Sequence, residues 1–258
     1  MKLEVILMGG MEFLLFLFDL NGLYGGFSRS GLILKIFKFG GAKIAALCAL
    51  RYKVCREAYN NLLCGRIKEL EYWQTFIRGF GLAKKISAKL KDGERQDGEE
   101  KAVVQKLTQL LTESIREIDS QMLALLAVVK QHSTVALLSD INVERVEELK
   151  RREEYQELFG QFEERTYFSY DVKHTKQDKE SFEYVLEGLG MTERPGQVVF
   201  IDDHRANIRV ARRLGMRVIY FKSPRQLRRV LAKMPGLPEG LRRELKGPLS
   251  HHRRCGSR

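Results

Sequence analysis

Residues 13–22 read FLLFLFDLNG, and this run shapes the expectation for the whole chain. Its first six residues are apolar, as in a short strand buried within a parallel sheet. A turn is expected at Gly22, because glycine permits tight backbone conformations. Ligands and catalytic groups of an open parallel sheet gather at the carboxyl ends of its strands. Asp19, which directly follows the apolar run, is therefore a candidate nucleophile.

Four further short runs have strand character, and helical patterns separate the later ones. Two of these helical patterns close on a glycine, Gly190 and Gly215, as helices commonly do. Strands that alternate with helices of this length predict an α/β fold, a three-layer Rossmann-like parallel sheet covered on both faces. The predicted strands are residues 13–18, 134–138, 166–169, 197–201 and 217–221. A helix is expected to begin near Asn142 and to continue through residue 158.

About 115 residues separate the first two predicted strands, far more than one crossover needs. Apolar residues recur there at three- and four-residue steps, so we expect an inserted all-helical domain. A polar, glycine-containing run at 89–101 is expected to be an exposed loop. The predicted domains are an N-terminal extension (1–12), an α/β core (13–33 and 116–235), a helical insert (34–115) and a mobile basic tail (236–258).

The formal net charge of +12 is concentrated at one end of the chain. Residues 204–258 contain 16 Lys and Arg against two acids, whereas the preceding residues are close to neutral. Such a region is compatible with nucleic acid or another polyanion, but also with a solvated basic face. Aromatic residues are not interleaved with the arginines after residue 221, so we do not favour nucleic acid as the partner.

Four cysteines occur without metal-ligand spacing, which favours a reducing, cytoplasmic compartment. The apolar N-terminal segment 5–18 is interrupted by glycines and a glutamate, so it is too short to span a membrane. No small-residue cleavage pattern follows it, so no secretory signal is expected. A simple alternative is that residues 1–10 are dispensable and Met11 opens the folded domain. The sequence predicts no oligomeric state.

Polar side chains also follow the other predicted strands. Ser139 follows the second strand, Lys176 lies in the loop after the third, and Asp202 and Asp203 follow the fourth. Because carboxyl ends of parallel strands meet at one edge, these groups should converge with Asp19. Each residue alone has a simpler explanation: a strand-end aspartate caps turns, Ser139 suits a helix N-cap, and a lone lysine is typical of a surface.

Taken together, these residues make the chain resemble the haloacid dehalogenase-like (HAD) superfamily. The resemblance rests on D-x-N-G at 19–22, the strand ending in Ser139, KQD at 176–178 and IDDHRAN at 201–207. Successive key positions are 120, 37 and 26 residues apart, in the family's order. The stretch CGRIKELEYWQTF, residues 64–76, is similar to a segment of the subgroup with a helical cap inserted after the first strand. The adjacent acids resemble that superfamily's DD-type fourth motif.

The resemblance implies a Mg²⁺-dependent phosphatase acting on a small phosphate monoester. Asp19 would attack the phosphoryl group and form an aspartyl-phosphate, which water then hydrolyses. The implied Mg²⁺ ligands are Asp19, the backbone carbonyl of Asn21 and Asp203, with Asp202 alongside. These are the oxygen ligands that Mg²⁺ prefers.

Three further residues are implied at the phosphoryl oxygens. Ser139 would donate a hydrogen bond, Asp140 would lie beside it, and Lys176 would balance the negative charge of the carboxylates. Gly22 and Asn207 are implied in supporting roles, Asn207 by orienting the loop after the fourth strand.

Asn21 departs from the family's phosphatases, which commonly carry aspartate two residues after the nucleophile. That aspartate exchanges a proton with the leaving oxygen and the attacking water, and an amide does not. General acid–base catalysis of this kind contributes ~10² to 10⁴ in rate. The leading interpretation is therefore a slowed hydrolase. The alternatives are a catalytically weak or silent binding or regulatory protein, and a phosphotransfer or nucleic-acid-end-processing member.

Overall fold

The computed structural model describes residues 14–20, 55–79, 99–113, 115 and 117–247. Asn21, Gly22, the predicted N-terminal extension 1–12 and most of the predicted loop at 89–101 lie outside these ranges. Among the described residues, no helix combines the length and apolar character needed to cross a bilayer.

The core is a five-stranded, all-parallel sheet in the order β3-β2-β1-β4-β5. The strands are β1 (Leu15–Phe18), β2 (Thr134–Ser139), β3 (Thr166–Phe168), β4 (Val198–Asp202) and β5 (Arg217–Tyr220). All five predicted strands are confirmed, with ends that differ by one or two residues. They were recognisable because a strand covered on both faces is nearly continuously apolar.

The helices whose two ends both lie in the described ranges follow in chain order. They are α1 (Arg56–Leu63), α2 (Glu69–Gly79), α3 (Glu99–Thr112), α4 (Ser120–His132), α5 (Val143–Lys150), α6 (Glu153–Phe162), α7 (Ser169–Val172), α8 (Lys179–Gly188), α9 (Arg205–Arg213), α10 (Pro224–Ala232) and α11 (Glu239–Lys246). The single helix expected from Asn142 to residue 158 is two helices. The backbone of Arg152 is extended, which separates α5 from α6.

The central strand β1 shows why the sheet has three layers. Successive side chains of a strand point to opposite faces. Phe16 and Phe18 pack with α4, α5, α6, α10 and α11, whereas Leu15 and Leu17 pack with α8 and α9 on the other face. The exposed fraction of each of these four residues is 2% or less. The α/β architecture with helices on both faces is therefore confirmed.

The inserted segment between β1 and β2 has a hydrophobic cluster of its own. Helices α1, α2 and α3 bury this cluster, which includes Tyr72, Trp73 and Phe76. The ring of Trp73 meets those of Tyr72 and Phe76 edge-on, with centroids 5.3 and 5.7 Å apart. Ile115, at the end of the predicted insert, already packs with the sheet. The described part of the insert is thus helical, and its limits at 34 and 115 stay a prediction.

The prediction of a mobile tail from residue 236 is wrong for residues 236–247. Helix α11 lies in this segment, and Leu237, Leu241 and Leu245 are buried in the core on one face of the sheet. The four-residue spacing of these leucines places them on one side of the segment. The Pro, Gly and Arg content around them obscured that pattern.

Two arginines fasten α10 and α11 to each other. Arg228 of α10 donates from Nε to the carbonyl oxygen of Leu245, 2.7 Å away. Arg242 of α11 donates to the carbonyl oxygens of Ala232 and Met234 at 3.2 and 3.0 Å. Each helix therefore supplies a cation to the C-terminal end of the other, where the helix dipole favours positive charge.

Candidate active site

The sheet order creates a crevice between the ends of β1 and β4. The chain runs from β1 to β2 and β3 on one side, and then crosses to β4 on the other side of β1. Such a switch point is where open α/β sheets bind ligands. Phe18 pairs with Ile201, and the backbone N–H of Asp19 donates to the Ile201 carbonyl at 3.0 Å. This register brings Asp19 beside Asp202.

A buried lysine joins these two aspartates. The ammonium of Lys176 contacts Oδ1 of Asp19 and lies 2.9 Å from Oδ2 of Asp202. The exposed fraction of each of the three side chains is 2% or less. The loop after β3 and the ends of β1 and β4 thus meet at one buried cation, as the sequence predicted.

Asp202 is held by three donors. Its Oδ1 accepts from the backbone N–H of His204 at 2.5 Å, and its Oδ2 accepts from Asn207 Nδ2 at 3.0 Å and from Lys176. Asn207 therefore orients the acidic side chain itself, rather than only the loop. The Asn207 amide oxygen is buried and has no hydrogen-bond partner among the described residues.

Asp203 differs from its neighbour because its side chain is exposed. One carboxylate oxygen from each of Asp19, Asp202 and Asp203 lies within 4.8 Å of the others. All three are hard oxygen donors, and the spacing suits a small divalent cation after modest side-chain adjustment. Because three hydrogen bonds already engage Asp202, the exposed Asp203 has the more available oxygens.

The loop that carries Lys176 is fixed at several points. Asp140, which follows β2, accepts at Oδ1 from the backbone N–H of Lys176 at 2.9 Å. Asp178 accepts at Oδ2 from the backbone N–H and the hydroxyl of Thr175, at 3.1 and 3.0 Å. These bonds hold the lysine in position. The T-x-x-D spacing at 175–178 is the sequence signal for this turn.

The remaining predicted residues fall into two groups. Ser139 is buried at the carboxyl end of β2, on the strand adjacent to β1. It therefore lies at the predicted edge of the sheet. Asn21 and Gly22 lie outside the described residues, and their proposed roles stay predictions.

The electrostatics of the cluster follow from burial and from the three neighbouring charges. Burial raises the pKa of Asp19 to about 7; Lys176 opposes this rise, and Asp202 adds to it. For Lys176, burial acts against the charged form, but Asp19 and Asp202 outweigh it and hold the pKa above its usual value. The ammonium is therefore charged at neutral pH. Burial also raises the pKa of Asp140, against the charge of Lys176.

Comparison with known proteins identifies the family. The family model described as haloacid dehalogenase-like hydrolase matches residues 40–215, more than half of the chain. That range includes Ser139, Lys176, Asp202 and Asp203, and it begins after Asp19. A search among curated proteins found no match.

Solved structures share the fold. A HAD family enzyme from Bacteroides thetaiotaomicron, in complex with magnesium and inorganic phosphate, is 24% identical with a TM-score of 0.60, over 82% of this chain and 95% of its own. For a protein described as a predicted HAD-like family hydrolase from Porphyromonas gingivalis, the identity is 22% and the TM-score 0.59, over 81% and 90%. A 2-haloacid dehalogenase from Pseudomonas syringae pv. tomato DC3000 is 15% identical with a TM-score of 0.52, over 81% and 86%. From the family match and the shared fold together, we conclude that this chain belongs to the haloacid dehalogenase-like hydrolases.

Proposed function

We propose that this hydrolase is a Mg²⁺-dependent phosphatase that uses Asp19 to attack a small phosphate monoester. The observation that carries the proposal is the cluster of three aspartates whose oxygens lie within 4.8 Å. Lys176 is buried between two of them. Two buried carboxylates beside one ammonium leave an excess of negative charge, which is unfavourable in the interior unless a cation offsets it.

The donor set fits Mg²⁺. Asp19 and Asp203 would hold the ion, together with the backbone carbonyl of Asn21 predicted from the sequence. Asp202 would support them from the side, because His204, Asn207 and Lys176 already engage its oxygens. When bound, Mg²⁺ supplies charge neutralisation for the phosphoryl oxygens.

The proposed chemistry assigns each protein group one task. A carboxylate oxygen of Asp19 forms a bond to phosphorus, and the bond from phosphorus to the leaving oxygen breaks. Water then attacks the phosphorus of the aspartyl-phosphate, releasing phosphate and restoring the carboxylate. Lys176 stabilises the negative charge throughout, and Ser139 donates a hydrogen bond to a phosphoryl oxygen. Asp140 lies at the same loop, where it holds the backbone of Lys176.

Proton transfer is the step that Asn21 changes. The leaving oxygen must gain a proton, and the attacking water must lose one. An amide at position 21 does neither at neutral pH, so bulk water or the substrate itself supplies the proton exchange. We therefore propose slow turnover, with hydrolysis of the aspartyl-phosphate as the step most affected.

The same proposal extends to the domains and surroundings of the site. We propose that residues 34–115 are the helical cap and that this cap selects the leaving group. We also propose that Asp202 and Asp203 form a DD-type motif. The proposed partner is a small phosphate ester, and we propose no membrane partner. The free thiols of Cys55 and Cys64 support the proposed cytoplasmic location.

Phosphate release from an aryl phosphate, with Mg²⁺ or with chelator, tests this function. Metal-dependent release that is lost in Asp19→Asn would support it, and Asn21→Asp should accelerate release by ~10² to 10⁴-fold. Release only in Asn21→Asp would support a silent regulatory protein on an intact scaffold. Absence of release by both the wild type and Asn21→Asp, each folded and Mg²⁺-bound, would refute the phosphatase. Retention on a DNA column would support the nucleic-acid-end-processing alternative.

A further inference from the structure

An ion pair buried between the helical insert and the α/β core lies outside the acidic cluster. Arg145 of α5 and Glu69, in the first turn of α2, approach to 3.6 Å between Nη2 and Oε1. The exposed fractions of their side chains are 7% and 9%. Nη1 of Arg145 also donates to the hydroxyl of Thr112 at 2.9 Å, at the end of α3. Arg145 thus contacts the insert at two helix ends.

Glu69 links this arginine to the interior of the insert. Its Oε1 accepts from the indole N–H of Trp73 at 3.1 Å, and Trp73 belongs to the hydrophobic cluster of the insert. Its Oε2 accepts from Asn142 Nδ2 at 3.4 Å, across the boundary with the core. The carboxylate therefore has partners on both sides of the interface.

Charges of the core also match the two helix ends of the insert. Glu144 accepts at Oε1 from the backbone N–H of Glu69 at 3.1 Å, at the positive N-terminal end of α2. Arg152 donates to the carbonyl oxygen of Thr112 at 3.0 Å, at the negative C-terminal end of α3. Both contacts are directional hydrogen bonds that cross the boundary between the insert and the core.

This interface includes the loop that follows β2. Asn142 is three residues after Ser139. The hydroxyl of Ser169 accepts from the N–H of Ile141 at 3.0 Å and donates to the carbonyl oxygen of Leu63 at 2.7 Å. Leu63 ends α1, so the insert contacts this loop at Ile141, through Ser169, and at Asn142, through Glu69.

We infer that Arg145 is a positioning residue that holds the insert in one orientation against the loops that follow β2 and β3, the second of which carries Lys176. With Glu69, Asn142 and Glu144 it forms what we term the insert latch. Buried ion pairs often stabilise a fold no better than apolar residues would, whereas in some proteins their directional bonds select one arrangement. The latch therefore sets the fit of the leaving group, and this part of the inference rests on the proposed phosphatase activity.

Hydrogen exchange tests the latch without any assumption about activity. In Arg145→Met, the backbone amides of α1 and α2 should exchange about tenfold faster, while those of β2 and β4 keep their protection. Arg151→Met is the matched control, because Arg151 follows directly on the last residue of α5 and its side chain is 74% exposed. Unchanged exchange in the insert, or an equal increase in the sheet, would overturn the inference.

Kinetics test its link to the site. In Arg145→Met, the KM for an aryl phosphate should rise about tenfold while kcat changes little, and acetyl phosphate, which has a small leaving group, should be unaffected. Equal losses for both substrates would show a structural role only and overturn the inference. A wild-type protein without turnover would refute the phosphatase, while the exchange result would still decide the latch.

A paired substitution separates stability from positioning. Glu69→Gln combined with Arg145→Met removes the lone buried carboxylate but keeps an acceptor for Trp73. The double variant should unfold at a higher temperature than Arg145→Met, because no unpaired charge is left inside. Its exchange in α1 and α2 should stay fast. Recovery of both unfolding temperature and slow exchange would contradict a need for the ion pair.

Discussion

Lys176 Nζ lies 2.9 Å from Oδ2 of Asp202 and also contacts Asp19, so one buried ammonium joins the ends of two neighbouring strands. Replacing Lys176 should show how much two buried carboxylates destabilise the fold when no ammonium lies between them. Lys176→Met is expected to lower the free energy of unfolding by ~3–5 kcal/mol, because breaking a buried pair leaves uncompensated charge. Urea unfolding measures the change, and Mg²⁺ should recover part of it.

Lys179→Met is the matched control for this change. Lys179 also pairs with a carboxylate, Glu183, but both side chains are exposed, at 60% and 47%. Loss of this pair should leave the unfolding curve unchanged. Equal free energies of unfolding for Lys176→Met and Lys179→Met would contradict a buried charge cluster around Lys176.

The two adjacent aspartates should respond differently to removal of charge. Asp203→Asn is expected to weaken Mg²⁺ binding by at least about tenfold without a change in stability, because the side chain is exposed. Asp202→Asn should lower the free energy of unfolding by ~1.5–3 kcal/mol, because its oxygens accept from charged and backbone donors. Calorimetric Mg²⁺ titration and thermal unfolding separate the two effects. The reverse pattern would make Asp202 the direct ligand.

Asn207→Asp should destabilise the protein in a pH-dependent way. The substitution replaces the amide that donates to Asp202 at 3.0 Å with a second carboxylate. The folded state raises the pKa of the new group, so stability falls as pH rises above the pKa in the unfolded chain. We expect a loss of ~1–3 kcal/mol at neutral pH, measured by urea unfolding at several pH values. Asn60→Asp, on an exposed position of α1, should show no such trend.

Mg²⁺ affinity should increase with pH. Burial raises the pKa of Asp19 to about 7, so a proton competes with the metal below that value. For one competing proton, the apparent affinity falls by about tenfold per pH unit below the pKa and is constant above it. Titration in buffers of different ionisation enthalpy would also reveal proton release. An affinity that does not change between pH 6 and 8 would mean that Asp19 is already ionised without metal.

Much of the core fold could be predicted, because strands buried on both faces are visible as apolar runs. The convergence of Asp19, Lys176 and Asp202 follows from the same reasoning, since parallel strands end at one edge. The packed helix at 239–246 was missed because turn-forming residues surround its two buried leucines, Leu241 and Leu245.

The side-chain contacts within and around the site were less predictable. Asp140 holds the backbone of Lys176, and Arg145 pairs with Glu69, which is 76 positions earlier in the chain. Such partners depend on which surfaces the tertiary structure buries together. Local periodicity contains no information about that choice.

The most direct test of the central claim is peptide mass mapping of the wild-type protein, quenched in acid during turnover with Mg²⁺ and a phosphate ester. Because Asn21 does not activate water, the aspartyl-phosphate should accumulate, and the phosphoryl group should map to Asp19. It should be absent with chelator and in Asp19→Asn. Metal-dependent phosphate release without phosphorylation of Asp19 would contradict the account, as would a phosphoryl group on another residue.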